Sequence, residues 1–178
     1  LGHSGSGKTT ITEAGLFFSG ATKRFGKVDE GNTTSDYDAE EIRRKVSINT
    51  SILPIEWQKT KINFIDTPGY FDFVGEVKSA VHAADAALVV VSAKSGVEVG
   101  TEKAWEYTEN QNMPRFIFLN QMDDENADFH RVLEQLREQF GNAVAPLQIP
   151  FSDLNGKFVG FITLIEREAK VIKDGKLV

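Results

Sequence analysis

The chain opens Leu1-Gly2-His3-Ser4-Gly5-Ser6-Gly7-Lys8-Thr9-Thr10, and this stretch decides the fold. Gly2-x-x-x-x-Gly7-Lys8-Thr9 fits the pattern G-x-x-x-x-G-K-[ST]. Gly2, Gly5 and Gly7 let the backbone curl until its N–H groups point at one phosphate, and the helix that follows adds its positive N-terminal end. Lys8 is expected to bridge the β- and γ-phosphates, and the Thr9 hydroxyl to ligate Mg²⁺. His3, Ser4 and Ser6 belong to the nucleotide-binding set by their place in the loop. The His3 ring is assigned no chemistry, because a lone His beside glycine is usually a turn residue. Thr10 closes the set and reads as packing at the helix start. The spacing predicts a helix over 8–18, with Ile11, Gly15 and Phe18 on one face.

Length and composition fit one soluble domain. The chain has 178 residues, 40% hydrophobic and 26% charged, which excludes a collagen-like or wholly disordered polymer. Cysteine is absent, so no disulfide framework or thiolate metal site is available, and a reducing, cytoplasmic setting is expected. No apolar run approaches the ~20 residues that span a bilayer, so no membrane partner is expected. With 20 basic and 26 acidic residues the net charge is −6, which argues against holding DNA by bulk charge.

Residues 19–49 contain no long apolar run. Cations cluster at the flanks (Lys23, Arg24, Lys27; Arg43, Arg44, Lys45) and acids between them, the mark of a long functional loop or of a solvated linker. Strands are expected at 48–58 and 61–66, joined as a hairpin through Lys59-Thr60. Val74, Val77, Val81 and Ala84 recur at helical spacing. Residues 86–93 (AALVVVSA) and 115–120 (RFIFLN) read as strands buried on both faces, with a helix over 101–112 between them. A helix over 128–140 gathers Phe129, Val132, Leu133, Leu136 and Phe140 on one face. Strand–helix alternation gives a mostly parallel α/β sheet with helices on both faces. After Pro146 the texture changes. Stretches 147–151, 157–165 and 169–173, separated by Asn155-Gly156 and Asp174-Gly175, predict a small antiparallel appendage. His82 and His130 lie in helical stretches without a second ligand and read as structural.

Two further motifs carry chemistry. Asp66-Thr67-Pro68-Gly69 puts an acid at the end of a strand, the edge at which open α/β sheets bind ligands. Asp66 is expected to hold Mg²⁺ through water, and the Gly69 N–H to sense the γ-phosphate. Asn120-Gln121-Met122-Asp123 follows the RFIFL strand. Asp123 can accept from guanine N1 and N2, a donor pair that adenine lacks, while Asn120 ties the base edge to the phosphate loop.

Together, Gly2–Thr10, the DTPG turn and the N-x-x-D loop resemble the GTP-binding domain of a translational GTPase, and within that superfamily elongation factor G and its paralogues. The stretch 72–93 is similar to the family along its length. So are Ser95-Gly96-Val97-Glu98, Thr101-Glu102-Lys103-Ala104-Trp105, Ala127-Asp128-Phe129 and the PLQIPFSD–F–G pattern. The resemblance implies the P-loop GTPase fold over residues 1–145 and the start of a β-rich inserted subdomain over 146–178. It implies GTP and GDP as ligands, magnesium held by Thr9, Ser47 and Asp66, and Lys8, Gly69 and Tyr70 at the reacting phosphate. It also implies slow intrinsic hydrolysis and the ribosome as partner. Because the chain starts one residue before the phosphate loop and stops inside the inserted subdomain, a longer parent, cut at both ends, is expected.

Four positions depart from the family pattern. Tyr70 stands where the family has His, and a phenol of pKa ~10 is not an imidazole, though its hydroxyl can orient a water. Arg44-Lys45-Val46-Ser47 replaces R-G-I-T, keeping a hydroxyl but losing the glycine. Gln121 replaces the usual Lys, and Gly5 the usual acid. Tyr70 and Lys45 favour a rival reading, a guanine-nucleotide binding module with little or no hydrolysis. A second rival is an ATP-using kinase, against which Asn120 and Asp123 speak.

Overall fold

The computed structural model describes residues 1–154 and 157–173, with the backbone of Lys176–Leu177. The expected turns at Asn155-Gly156 and Asp174-Gly175 lie outside the described residues. The chain divides into two compact units: Leu1–Val91 with Glu98–Asn120, and Ser92–Val97 with the residues from Gln121 onward.

In the first unit, helix α1 (Lys8–Phe18) follows the phosphate loop directly. Its buried stripe is Lys8, Thr9, Thr12, Glu13 and Leu16, not the face expected from Ile11, Gly15 and Phe18; Phe18 is 72% exposed. The stripe turns inward because Leu16 packs with Leu53, Ile55 and Phe64 of the hairpin beneath. Polar members of the stripe face the loop and the site.

That hairpin is β1 (Ser51–Trp57) paired antiparallel with β2 (Thr60–Asp66), with Ser51 opposite Asp66 at its root. Its turn is Gln58-Lys59, one residue earlier than expected, and both residues have positive φ (49° and 65°). Two-residue turns of that hand match the twist of the strands, which fixes the register. The first strand also starts later than expected. The N–H groups of Ile48 and Asn49 donate to Glu41, and that of Thr50 to Glu76, so three ladder donors are already used.

The long loop is ordered. It holds a 3-10 turn at Val28–Glu30 and helix α2 (Ala39–Arg44). Lys45, at the lost glycine, closes α2 in the left-handed conformation (φ 55°, ψ 40°), and the Val46 N–H donates to the Glu41 carbonyl. Geometry that glycine adopts freely is therefore kept at a steric cost. Helix α3 (Val74–Ala83) buries Ala80 and Val81. Val81, Ala87 and Met113 form a second cluster with Leu1, Ala84 and Tyr107 around it.

Strand β3 (Ala87–Ser92) connects through α4 (Val99–Asn110) to β4 (Arg115–Asn120), its neighbour in the sheet. Leu1 also lies along β3: its nitrogen donates to the Leu88 carbonyl, and its carbonyl accepts from the Val90 N–H. β3 is buried nearly throughout, as expected. β4 is not: Phe116 and Phe118 are 55% and 43% exposed. Alternate side chains of a strand point to opposite faces, and the face carrying Phe116 and Phe118 is open; among the described residues β4 pairs with β3 alone.

The second unit is built on helix α5 (Phe129–Phe140), capped by the Asp128 carboxylate, with Val132 and Leu136 buried. Arg131 donates to the carbonyls of Ala93 and Lys94, and Gln135 accepts from the Val97 N–H, fastening the 92–97 segment to the helix. The sheet of β5 (Gln148–Ser152), β6 (Phe158–Thr163), β7 (Glu168–Lys173) and β8 (Lys176–Leu177) is an antiparallel meander, as expected.

Lys45→Gly removes the Cβ from a left-handed position, and the expected outcome is a gain of about 1 kcal/mol, read as a rise in Tm. An unchanged or lower Tm would show that the α2 cap is unstrained.

Candidate functional site

The site grows from the start of α1. Its N-cap is Gly7 (φ 91°, ψ 27°), with no capping side chain and no acid in the first turn, so the positive end of the helix is left for an anion. A Cβ on Gly7 would lie 2.2 Å from the Asn120 Nδ2, so glycine is required by that contact as well as by its φ. Asn120 Nδ2 donates to the Ser6 carbonyl at 2.9 Å, which ties the end of β4 to the phosphate loop.

The His3 carbonyl collects three donors: the Ser6 N–H (3.3 Å), the Ser6 hydroxyl (2.9 Å) and the Lys8 ammonium (2.8 Å). The His3 ring turns the other way. Its Nδ1 accepts from the Gly100 N–H at 3.2 Å, and Nε2 lies 3.5 Å from Glu98 Oε1, at the start of α4. Within the phosphate loop, His3 thus contributes backbone, and its ring braces α4. Thr10 is exposed on the first turn, so it does not pack there as the sequence suggested.

Lys8 is 9% exposed, and burial pushes its ammonium down from 10.5 to about 8, against the pull of Asp66, Asp36 and Glu98. Gly69 passes over it. A Cβ there would meet Lys8 Nζ at 2.6 Å and Ser4 Cα at 2.8 Å, so the DTPG turn can lie on the phosphate loop only as glycine. Tyr70 follows, 46% exposed, and starts the 3-10 turn Phe71–Phe73.

On the other side of Lys8, the Thr9 and Ser47 hydroxyls lie 3.2 Å apart. Asp66 and Asp36 are both buried (5% exposed each), and among the described residues Asp66 Oδ2 and Asp36 Oδ1 lack a hydrogen-bond partner. Burial, with the charges of Asp66 and Glu41, raises the Asp36 carboxyl above its ordinary value. Two buried carboxylates with unpartnered oxygens beside two hydroxyls are the donor set a hard divalent cation takes, so the residues present fit magnesium. Asp36 was one acid among six in the loop, and nothing in its spacing distinguished it.

The first unit therefore brings together the phosphate loop, Ser47, Asp66, Gly69 and Asn120. Gln121 and Asp123 belong to the second unit. There Gln121 takes a left-handed conformation (φ 61°) and accepts from the Ser92 hydroxyl, while Asp123 is exposed.

Residues 1–173 match the family described as the elongation factor Tu GTP binding domain. The chain belongs to that family. This GTP-binding domain is 38% identical over 175 residues to elongation factor G of Gluconobacter oxydans (strain 621H), covering 98% of the chain and 25% of that relative. It is 36% identical over 176 residues to the mitochondrial ribosome-releasing factor 2 of Anopheles gambiae, covering 99% and 24%. A crystal structure of a Thermus thermophilus protein superposes with a TM-score of 0.94 at 41% identity, covering all of this chain and 26% of that one. The chain thus spans about a quarter of the length of the relatives it matches. Among the described residues no helix is long and apolar enough to cross a membrane.

The depressed Lys8 value has a sign. Protonated Lys8 is disfavoured by the fold, so the cost is fully present below pH 8 and fades as pH rises toward 10.5. At neutral pH the cost is about 3 kcal/mol in the absence of an anion. Lys8→Met is expected to raise the Tm of the nucleotide-free protein and to abolish nucleotide binding. A Tm that falls, or does not move, would show that the buried ammonium costs nothing.

Proposed function

We propose that this domain is the GTP-hydrolysing switch of an elongation-factor-G-like, ribosome-associated protein acting in the cytoplasm. What carries the reading is the Asn120 amide on the Ser6 carbonyl, a direct tie between the end of the base-reading strand and the phosphate loop. Fold and family supply the rest of the support.

In this reading the N–H groups of Gly2–Thr10 wrap the phosphates, and Lys8 leaves the His3 carbonyl to bridge the β- and γ-oxygens. Thr9 and Ser47 would hold magnesium directly and Asp66 through water, and a bound ion would supply charge neutralisation at the phosphoryl group. Asp123 accepts from guanine N1 and N2, with Gln121 covering the base by a shorter stem than lysine. A water attacks the γ-phosphorus as the bond to the bridging oxygen breaks. The Gly69 N–H faces the γ-phosphate, and the Tyr70 hydroxyl orients the water. A phenol is too weak a base at neutral pH to take the proton, so intrinsic hydrolysis is slow and an activating partner, the ribosome, sets the rate. Loss of the γ-phosphate releases the loop at Ser47 and the turn at Gly69 together.

Tyr70→Phe is expected to lower ribosome-stimulated turnover by about tenfold or more while leaving GTP affinity unchanged. An unaltered rate would remove the hydroxyl from water placement. Asp123→Asn replaces the paired acceptor and is expected to weaken GTP binding by about 10- to 100-fold with ATP binding unmoved, measured by titration of both nucleotides. Tighter binding of ATP than GTP by the unaltered protein would restore the kinase reading. Tyr70, a phenol at the reacting end of the site, favours one rival, a binding module without hydrolysis. GTP turnover by the full-length protein, with and without ribosomes, separates the two; no turnover in either supports the rival.

A further inference from the structure

Glu41 lies at the third position of the six-residue helix α2 and completes a capping box with Asp38, its Oε2 accepting from the Asp38 N–H at 3.0 Å. A capping glutamate needs only that bond and normally keeps its other oxygen in water. Glu41 does not. It is 0% exposed, and its Oε1 accepts two more N–H groups, those of Ile48 and Asn49, each at 2.9 Å. Among the described residues it has no ion-pair partner, so the buried charge is held by three backbone donors. That arrangement is tolerable only because charge-assisted bonds to fixed N–H groups replace its hydration.

The three donors bracket Ser47. One precedes it at residue 38, and two follow it at 48 and 49, so the chain from α2 to β1 is drawn around one carboxylate. Ser47 sits on this closed loop with its hydroxyl 3.2 Å from that of Thr9. An apolar side chain of similar size would fill the space but would leave all three donors unpaired. Glu13 does comparable work elsewhere in the long loop, accepting from Gly26 and from Thr34 without touching the residues around Ser47.

We propose that Glu41 is a positioning residue for the magnesium side of the site: through the Ile48 and Asn49 N–H groups it presets the Ser47 hydroxyl against Thr9 before nucleotide arrives. The proposal deepens the function given above and rests on Thr9 and Ser47 as magnesium ligands.

The test is the magnesium concentration at which the full-length protein half-maximally retains a fluorescent GTP analogue, with melting temperature followed alongside. Glu41→Gln is expected to raise that concentration about tenfold, the lower end of what loss of an orienting partner behind a metal ligand produces. Ser47→Ala is expected to raise it too, and the double variant to go no further than the larger single change, because both act on one hydroxyl. Glu13→Gln, the loss of a buried carboxylate that holds the same loop from α1, is expected to stay at the unaltered value. The proposal fails if Glu41→Gln leaves the value unmoved while Ser47→Ala shifts it, if the two changes add in full, or if Glu13→Gln shifts it as far. Should Ser47→Ala alone have no effect, the metal reading of Ser47 is what fails, and the route through it falls with it. Hydrogen exchange on the unaltered protein covers a variant that does not fold. The Ile48 and Asn49 amides are expected to exchange as slowly as those of α1, and rapid exchange at both overturns the proposal.

Discussion

The site is organised around one uncomfortable group, the buried ammonium of Lys8. It rests on the His3 carbonyl with Asp66, Asp36 and Glu98 near enough to favour its charge, yet desolvation still dominates. Around that charge the backbone is arranged with little freedom. Gly7 must be glycine for Asn120 to approach, and Gly69 must be glycine for the DTPG turn to cross Lys8 and Ser4. The fold thus sets a cation and a helix N-terminus on one side and, on the other, carboxylates with oxygens unpartnered among the described residues. Phosphate and a divalent cation are complementary to that imbalance, which ties energetics to function more directly than any single motif does.

The long loop meets the same problem from the other side. Its composition suits solvated chain, and its hydrophobic content cannot order it. Two carboxylates do so instead. Glu13, on α1, takes donors from Gly26 and Thr34, and Glu41 takes donors on both sides of Ser47. Order obtained this way is local and reversible, because each anchor is a few hydrogen bonds and not a packed core. A segment that is ordered in one state and released in another needs that kind of hold.

Much of the architecture was legible because its signals are local. The boundaries of α1, β3, β4 and α5 follow from periodicity and from caps such as Asp128, and the phosphate loop from glycine spacing. What escaped depended on partners distant in sequence. The buried face of α1 runs through Thr12 and Glu13 because of what the loop and hairpin place there, which helical spacing does not reveal. The late start of β1 comes from donors diverted to Glu41 and Glu76. The helix that Asp38 and Glu41 cap inside the long loop went unread, and spacing does not reveal that its glutamate is buried. The exposure of Phe116 and Phe118, on the open face of β4, likewise does not show in composition. Lys45 shows the converse: an absent glycine suggested lost geometry, and the backbone kept the turn regardless.

The hairpin register has a mechanical corollary. Ser51 faces Asp66 across its open end, so the exit of the long loop and the entrance of the DTPG turn are carried on the same two-stranded arm. Extra residues at the distal tip would leave that alignment untouched. A single residue inserted within either strand would reverse the facing of everything beyond it, Ser51 on one strand or the Asp66 carboxylate on the other. The arm therefore divides into an end free to drift in evolution and an end where length is a hard constraint.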